Sequence, residues 1–178
     1  MRNNLFFITF FVLLVSCGNP KPRQPIMRTG SVDMTKSVAI NQKILEHENK
    51  VFEVIMENDS LHTFIDSHYG FWYAYDSEKS KDSIVPKTGD EVRFLYDIKT
   101  VNREIIYSKE EIGEMNYLVD RQDFMQGIQE GIKFMKVNEK VIFLLPSQKA
   151  YAYYGDEKKI GSNTPLIVTV ELLEIKNN

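Results

Sequence analysis

Cysteine is almost missing from this chain, with one residue, Cys17, in 178. A lone thiol closes no intrachain disulfide, so the fold must hold by packing even in an oxidising compartment. Neither sign of charge dominates: 22 Lys and Arg stand against 25 Asp and Glu, with a formal net charge of -3 and no long block of either sign. That excludes the basic surface on which nucleic-acid binding depends. No GxSxG, no phosphate-binding glycine loop, no dinucleotide fingerprint and no HExxH occurs, and His47, His62 and His68 lack ligand spacing. Serine or cysteine nucleophiles are left without partners, and no metal or cofactor is expected. Long apolar runs are also missing: residues 5–15 are apolar except for Thr9, too short to cross a bilayer, which takes about 20 helical residues.

That short run has a different use. It follows Arg2 and ends in Leu14-Val15-Ser16-Cys17, so residues 1–16 read as a lipoprotein signal peptide and Cys17 as the lipidation site. This pattern resembles a bacterial lipobox, in which the cysteine becomes the first residue and carries the acyl chains. Several chains together provide the multiple signals that stable anchoring requires. Residues 17–34 open with Gly18-Asn19-Pro20-Lys21-Pro22-Arg23-Gln24-Pro25, a polar, proline-rich tether.

Beyond the tether, residues 35–68 read as a helical extension. Ile40, Ile44, Val51 and Ile55, joined by Leu45, Phe52 and Met56, form a helical stripe over 35–57. Such a stripe serves equally for packing on its own domain or for contact with a second copy or partner. Asn58-Asp59-Ser60 breaks it, and Leu61, Phe64 and Ile65 suggest one more helical turn.

From residue 69 the texture is that of strands. Residues 71–75 are aromatic, and 91–98 alternate with Val92, Phe94, Tyr96 and Ile98 on one face. Strands are also expected at 104–107, 114–119, 141–145 and 166–175, the last alternating Leu166, Val168, Val170 and Leu172 against Ile167, Thr169 and Glu171. Residues 124–135 read as a short helix. One short helix among five or six mostly antiparallel strands is an α+β arrangement, with the sheet wrapped over the helix.

A chain without a nucleophile or a metal site can still catalyse a reaction that breaks no covalent bond. Rotation about a prolyl amide is one, with a barrier of about 18–20 kcal/mol and a spontaneous time of tens of seconds or more. The twisted amide is less charge-separated than the planar one, so an apolar, water-poor cup favours it. The loop at 146–156, PSQKAYAYYGD, places Tyr151, Tyr153 and Tyr154 directly after an apolar strand, where a phenol can hold a neighbouring carbonyl.

The residues at 127–132 and 135–140, Pro146-Ser147 with Ala150-Tyr151, Ile160 with Asn163-Thr164-Pro165-Leu166, and Val170-Glu171-Leu172-Leu173 together resemble the FKBP-type peptidyl-prolyl isomerases. The resemblance implies an FKBP-like antiparallel half-barrel over residues 69–178. It makes Tyr151, Tyr96 and Tyr107 the catalytic positions. It makes Met115, Phe124, Met125, Ile128, Ile160 and Val168 substrate-binding, with the Met125 N–H donating to the bound chain. It also implies proline-containing polypeptides as clients.

The chain departs from the family where Ile106-Tyr107 replaces the usual Phe-Asp pair, and also at Met115, Val168 and Ala152. A wider, less aromatic pocket with low turnover follows, and the alternative is an FKBP-fold binding module or chaperone scaffold of a gliding or secretion apparatus. Arg23-Gln24-Pro25-Ile26, residues 59–63 and Gly70-Phe71-Trp72-Tyr73 resemble the gliding-motility-associated isomerase lipoproteins of Bacteroidetes. That implies a lipid-anchored, periplasm-facing folding helper in the cell envelope, at the outer membrane rather than the inner. No acidic cluster follows Cys17 to direct it to the outer face.

Overall fold

The computed structural model describes residues 31–76, 80 and 83–177, with side chains from residue 35 onward. The stretch read as a signal peptide, Cys17 and the stretch read as tether up to residue 30 lie outside the described residues. The first element, α1 (Ser31–Asn58), starts within the stretch read as tether. Residues 35–43 are exposed, and the helix turns inward from Ile44 on, at Ile44, Leu45, Glu48, Asn49, Val51, Phe52, Ile55 and Met56. These recur every three to four residues and form one stripe. Phe52 is fully buried against Leu144 and Ile167, with its ring 5.8 Å from that of Trp72. The C-terminal half of α1 therefore packs on its own sheet, while Val38 and Ile40 remain more than half exposed.

The helical turn expected at 61–65 is instead strand β1 (Ile65–Asp66), paired with β2 (Trp72–Tyr75). Asp59 explains the change. Its carboxylate accepts the backbone N–H groups of Leu61 at 3.1 Å and His62 at 3.2 Å, an alternative to helical bonding that turns the chain. His62 then bridges two carboxylates, with Nδ1 3.0 Å from Asp59 and Nε2 3.0 Å from Asp76 at the end of β2. Arg103 closes on Asp59 at 2.9 Å and Lys140 on Asp76 at 2.5 Å.

Burial works against ionisation of Asp59, yet the bonds from His62, Arg103 and the Leu61 N–H hold its carboxyl at about 2. Burial alone would lower the His62 value, but the two carboxylates raise it above its ordinary 6.5. A raised histidine contributes stability that is complete below pH 6.5 and is lost as pH rises through the folded-state value. From pH 6 to pH 9 the melting temperature should therefore fall by about 2–4 °C more in the wild type than in His62→Asn, the equivalent of about 1 kcal/mol at this chain length. Parallel melting curves would show that the clasp contributes nothing.

The remaining strands are β3 (Glu91–Lys99), β4 (Ile105–Tyr107), β5 (Met115–Leu118), β6 (Lys140–Leu145) and β7 (Leu166–Lys176). All pairings are antiparallel, in the order β1-β2-β6-β7-β3-β4, with β5 also on β3. β4 pairs with Ile98 and Lys99 and β5 with residues 91–94, so residues 95–97 have no strand partner on that edge.

Along β3 every second residue is buried, as its alternation requires. On one sheet face these side chains meet α3 (Gln126–Ile132), which buries Gly127, Ile128, Gly131 and Ile132. A Cβ on Gly131 would lie 2.4 Å from the Phe143 ring, so only glycine lets the helix come this close. The other face of β6 and β7 lies in the cluster with α1, which is why residues 166–170, apolar except for Thr169, are buried on both faces. A one-turn helix absent from the sequence reading, α2 (Lys109–Ile112), follows Ser108, whose hydroxyl accepts the Glu111 N–H at 3.2 Å. Ser108-x-x-Glu111 is the capping signature that foretells it.

Candidate active site

The unpaired stretch of β3 opens onto a hollow of about 240 Å³, lined by Tyr96, Ile98, Tyr107, Ile112, Tyr151, Asp156 and Lys158. Tyr96 points there because it shares the inward face of β3 with Phe94 and Ile98. Tyr107 is placed by its register opposite Ile98. Tyr151 arrives by a more elaborate route. Pro146 ends β6, and a single 3-10 turn at Ser147–Lys149 brings both Ala150 N–H (3.1 Å) and Ala152 N–H (2.7 Å) onto the Ser147 carbonyl. The tyrosine between them has little freedom. Ala152 keeps the left-handed conformation with φ of 51°, at a cost of about 1–2 kcal/mol for a residue with a Cβ.

The loop then folds back on itself. Gly155 N–H bonds to the Tyr151 carbonyl at 3.2 Å, Asp156 N–H to that of Ile160 at 3.1 Å, and Asn163 N–H to that of Ala152 at 2.8 Å. Asp156 organises its far side. One carboxylate oxygen accepts the N–H groups of Ile160 (2.7 Å) and Lys158 (3.0 Å), and the other accepts the Tyr107 hydroxyl at 2.5 Å. Lys159 reaches back across, 4.5 Å from the centre of the Tyr107 ring, bonding Glu111 and the Ile106 carbonyl. Tyr153 and Tyr154 stand outside, largely exposed and packed edge-on against each other.

The three phenols are neutral donors at physiological pH. Burial pushes Tyr96 up to about 12, helped by the neighbouring Tyr151 and Tyr107. Burial and then Asp156 raise Tyr151, while the bond to Asp156 is the main cause for Tyr107. Asp156 is itself lowered: burial opposes its charge, but the Tyr107 hydroxyl and the loop N–H groups outweigh it. Among the described residues the Tyr151 hydroxyl has no hydrogen-bond partner, and nothing accepts from the Met125 N–H.

Of the residues singled out from sequence, Tyr96, Tyr107 and Tyr151 converge on the hollow. Met125, Ile128, Ile160 and Val168 are 4% exposed or less and form the apolar bed in the same core cluster. Phe124 stands edge-on to Tyr96, with ring centres 5.5 Å apart and planes at 88°, and Met115 is half-buried beside it on β5. Asp156, Lys158 and Ile112 also line the hollow without a sequence assignment to it, and Ile98 was expected only on the inward face of its strand. Asp156 had one signal: once Ile106-Tyr107 lacks the family's acid, the replacement must come from elsewhere, and the loop at 146–165 offers only Asp156 and Glu157.

An open antiparallel sheet over one short helix, with three phenols around a hollow beside a buried apolar bed, is the architecture of a prolyl isomerase. Residues 82–173 match the family model of the FKBP-type peptidyl-prolyl cis-trans isomerases. FK506-binding protein 1B of Aspergillus fumigatus is 30% identical over 102 residues, which cover 52% of this chain and 84% of that protein. Two solved structures share the fold. A peptidyl-prolyl cis-trans isomerase of Pseudomonas syringae pv. tomato has a TM-score of 0.60 at 16% identity, covering 76% of this chain and 96% of that one. FkpA of Escherichia coli has a TM-score of 0.57 at 23% identity, covering 82% of this chain and 64% of that one. The chain belongs to the FKBP-type peptidyl-prolyl cis-trans isomerase family and is an isomerase of that type.

Proposed function

We propose that the hollow seats a prolyl ring, with Tyr96, Phe124 and Tyr107 as walls and Ile128 and Val168 beneath. Tyr151 donates to the carbonyl flanking the proline and the Met125 N–H to the adjoining chain. The observation that carries this reading is the unpartnered Tyr151 hydroxyl standing over a buried apolar bed.

Catalysis is then non-covalent. The site excludes water from an amide whose charge separation falls as it twists, and two donors hold its neighbours while it turns. At about 240 Å³ the hollow lies below the roughly 300–1,000 Å³ of sites for drug-sized ligands, which suits one ring and its amides. The test is a protease-coupled assay on a proline peptide. Isomerisation faster than the spontaneous rate is expected, and a rate no faster would end the reading.

The clients are unfolded envelope proteins, among them those of a gliding apparatus, and the enzyme works from the membrane through lipid on Cys17. Supporting this are the lipobox-like end of the signal segment and the proline-rich stretch that follows. Cys17→Ser is expected to move the protein from the membrane fraction to the soluble one and to abolish incorporation of labelled palmitate. Unchanged fractionation would refute the anchor.

A further inference from the structure

Glu48 lies on α1, far from the hollow in sequence, yet its side chain is among the most buried polar groups of the fold, 2% exposed. One carboxyl oxygen accepts the backbone N–H of Ser147 at 3.0 Å, a bond spanning 99 residues. The other oxygen has no partner among the described residues, and neither has the fully buried Ser147 hydroxyl. A buried carboxyl group with an unpartnered oxygen is costly, and a hydrophobic side chain would fill the space at lower cost. What it holds is specific. Ser147 N–H is the first donor of the 3-10 turn before Tyr151, and such first-turn donors have no partner within their own helix. The carbonyl of the same residue receives the N–H groups of Ala150 and Ala152, which flank Tyr151. Phe52, one helical turn further along α1, fixes the helix to β6 and β7, so Glu48 reaches Ser147 from a rigid base.

We infer that Glu48 is a positioning residue for the isomerase: the helical arm, through this bond, sets where the Tyr151 hydroxyl stands. The inference rests on the role proposed for Tyr151. It makes the arm part of the catalytic architecture and not only a spacer between membrane and domain.

A double-mutant cycle in the full-length chain tests it. Glu48→Ala is expected to lower kcat/KM about three- to fivefold at temperatures well below its melting point. Glu48→Gln, which keeps an oxygen to accept the Ser147 N–H, should restore most of the rate. In a Tyr151→Phe background Glu48→Ala should change little, because the hydroxyl it positions is gone; a purely structural role would give the same loss in both backgrounds. Equal losses in both backgrounds, no loss in Glu48→Ala, or failure of glutamine to rescue would overturn the inference while leaving the Tyr151 reading intact. A Tyr151→Phe enzyme with undiminished rate would overturn both. Should Glu48→Ala not fold, amide exchange in the wild type decides: a protected Ser147 N–H supports the bond, and rapid exchange refutes it.

Discussion

Gly155→Ala is expected to lower kcat/KM more than tenfold and the melting temperature by about 5–10 °C. The backbone at Gly155 has φ of +67°, and a Cβ there would lie 2.2 Å from the Ile160 carbonyl oxygen and 3.0 Å from the Gly161 carbonyl. The left-handed conformation alone costs alanine about 1–2 kcal/mol. The clash adds to it, because the nearest atom belongs to backbone and cannot swing aside. The carbonyl that must retreat is the one accepting the Asp156 N–H. As that bond opens, Asp156 withdraws from Tyr107 and from the N–H of Ile160, and one wall of the hollow loses its shape. About 2–3 kcal/mol of strain corresponds to the stated drop for a chain of this length. Thermal melting and the coupled assay read the two effects separately, and a Gly155→Ala enzyme with wild-type kcat/KM would show that the loop has no part in turnover.

Tyr151→Phe is expected to lower kcat/KM about tenfold while leaving the melting temperature nearly unchanged. The hydroxyl has no partner among the described residues, so its loss strands none of them in the folded enzyme. With substrate bound, the carbonyl it would have held is left in the hollow without that donor. A loss of about 1.4 kcal/mol corresponds to tenfold in rate, within the usual cost of leaving a buried group unpaired. The pH profile carries a second signature. Tyr96 and Tyr151 sit above the ordinary tyrosine value and Asp156 below the ordinary carboxylate value, so all three keep one protonation state from pH 6 to 9. Wild-type kcat/KM should be flat across that window. A slope there would point to a titrating group outside this set, and a phenylalanine variant with full activity would remove Tyr151 from the mechanism.

The parts of this architecture that could be read beforehand are those whose cause is local and periodic. β3 announced itself because one of its faces is dry and the other wet, so burial follows the pleat residue by residue. β7 is apolar over 166–170 except at Thr169 and is buried there on both faces, but that α1 is what covers its second face is an effect no window of eleven residues contains. β1 and α2 escaped the periodic reading for a different reason, and only the Ser108-x-x-Glu111 cap marks α2 in the sequence. Each is two to four residues long and set by one side chain, Asp59 or Ser108, bonding to nearby N–H groups. At the site, Tyr151 and Tyr96 were legible through the family resemblance. Glu48 was not, because its partner lies 99 residues away and its type carries no signal without it, and Asp156, whose Tyr107 partner lies 49 residues away, had only the acid missing at Ile106-Tyr107 to point to it.

One consequence of the divided edge of β3 concerns how such a pocket changes over time. Its mouth lies where β4 has ended and β5 has not begun, so the rim is an interval in the ladder. Side chains bordering an interval can be exchanged, and the connection between the two short strands lengthened or trimmed, without breaking a single inter-strand bond. Here the phenol of Tyr107 on β4 meets the carboxylate of Asp156 from the loop opposite. The sheet tolerates such exchange because none of it is written into the pairing of its strands.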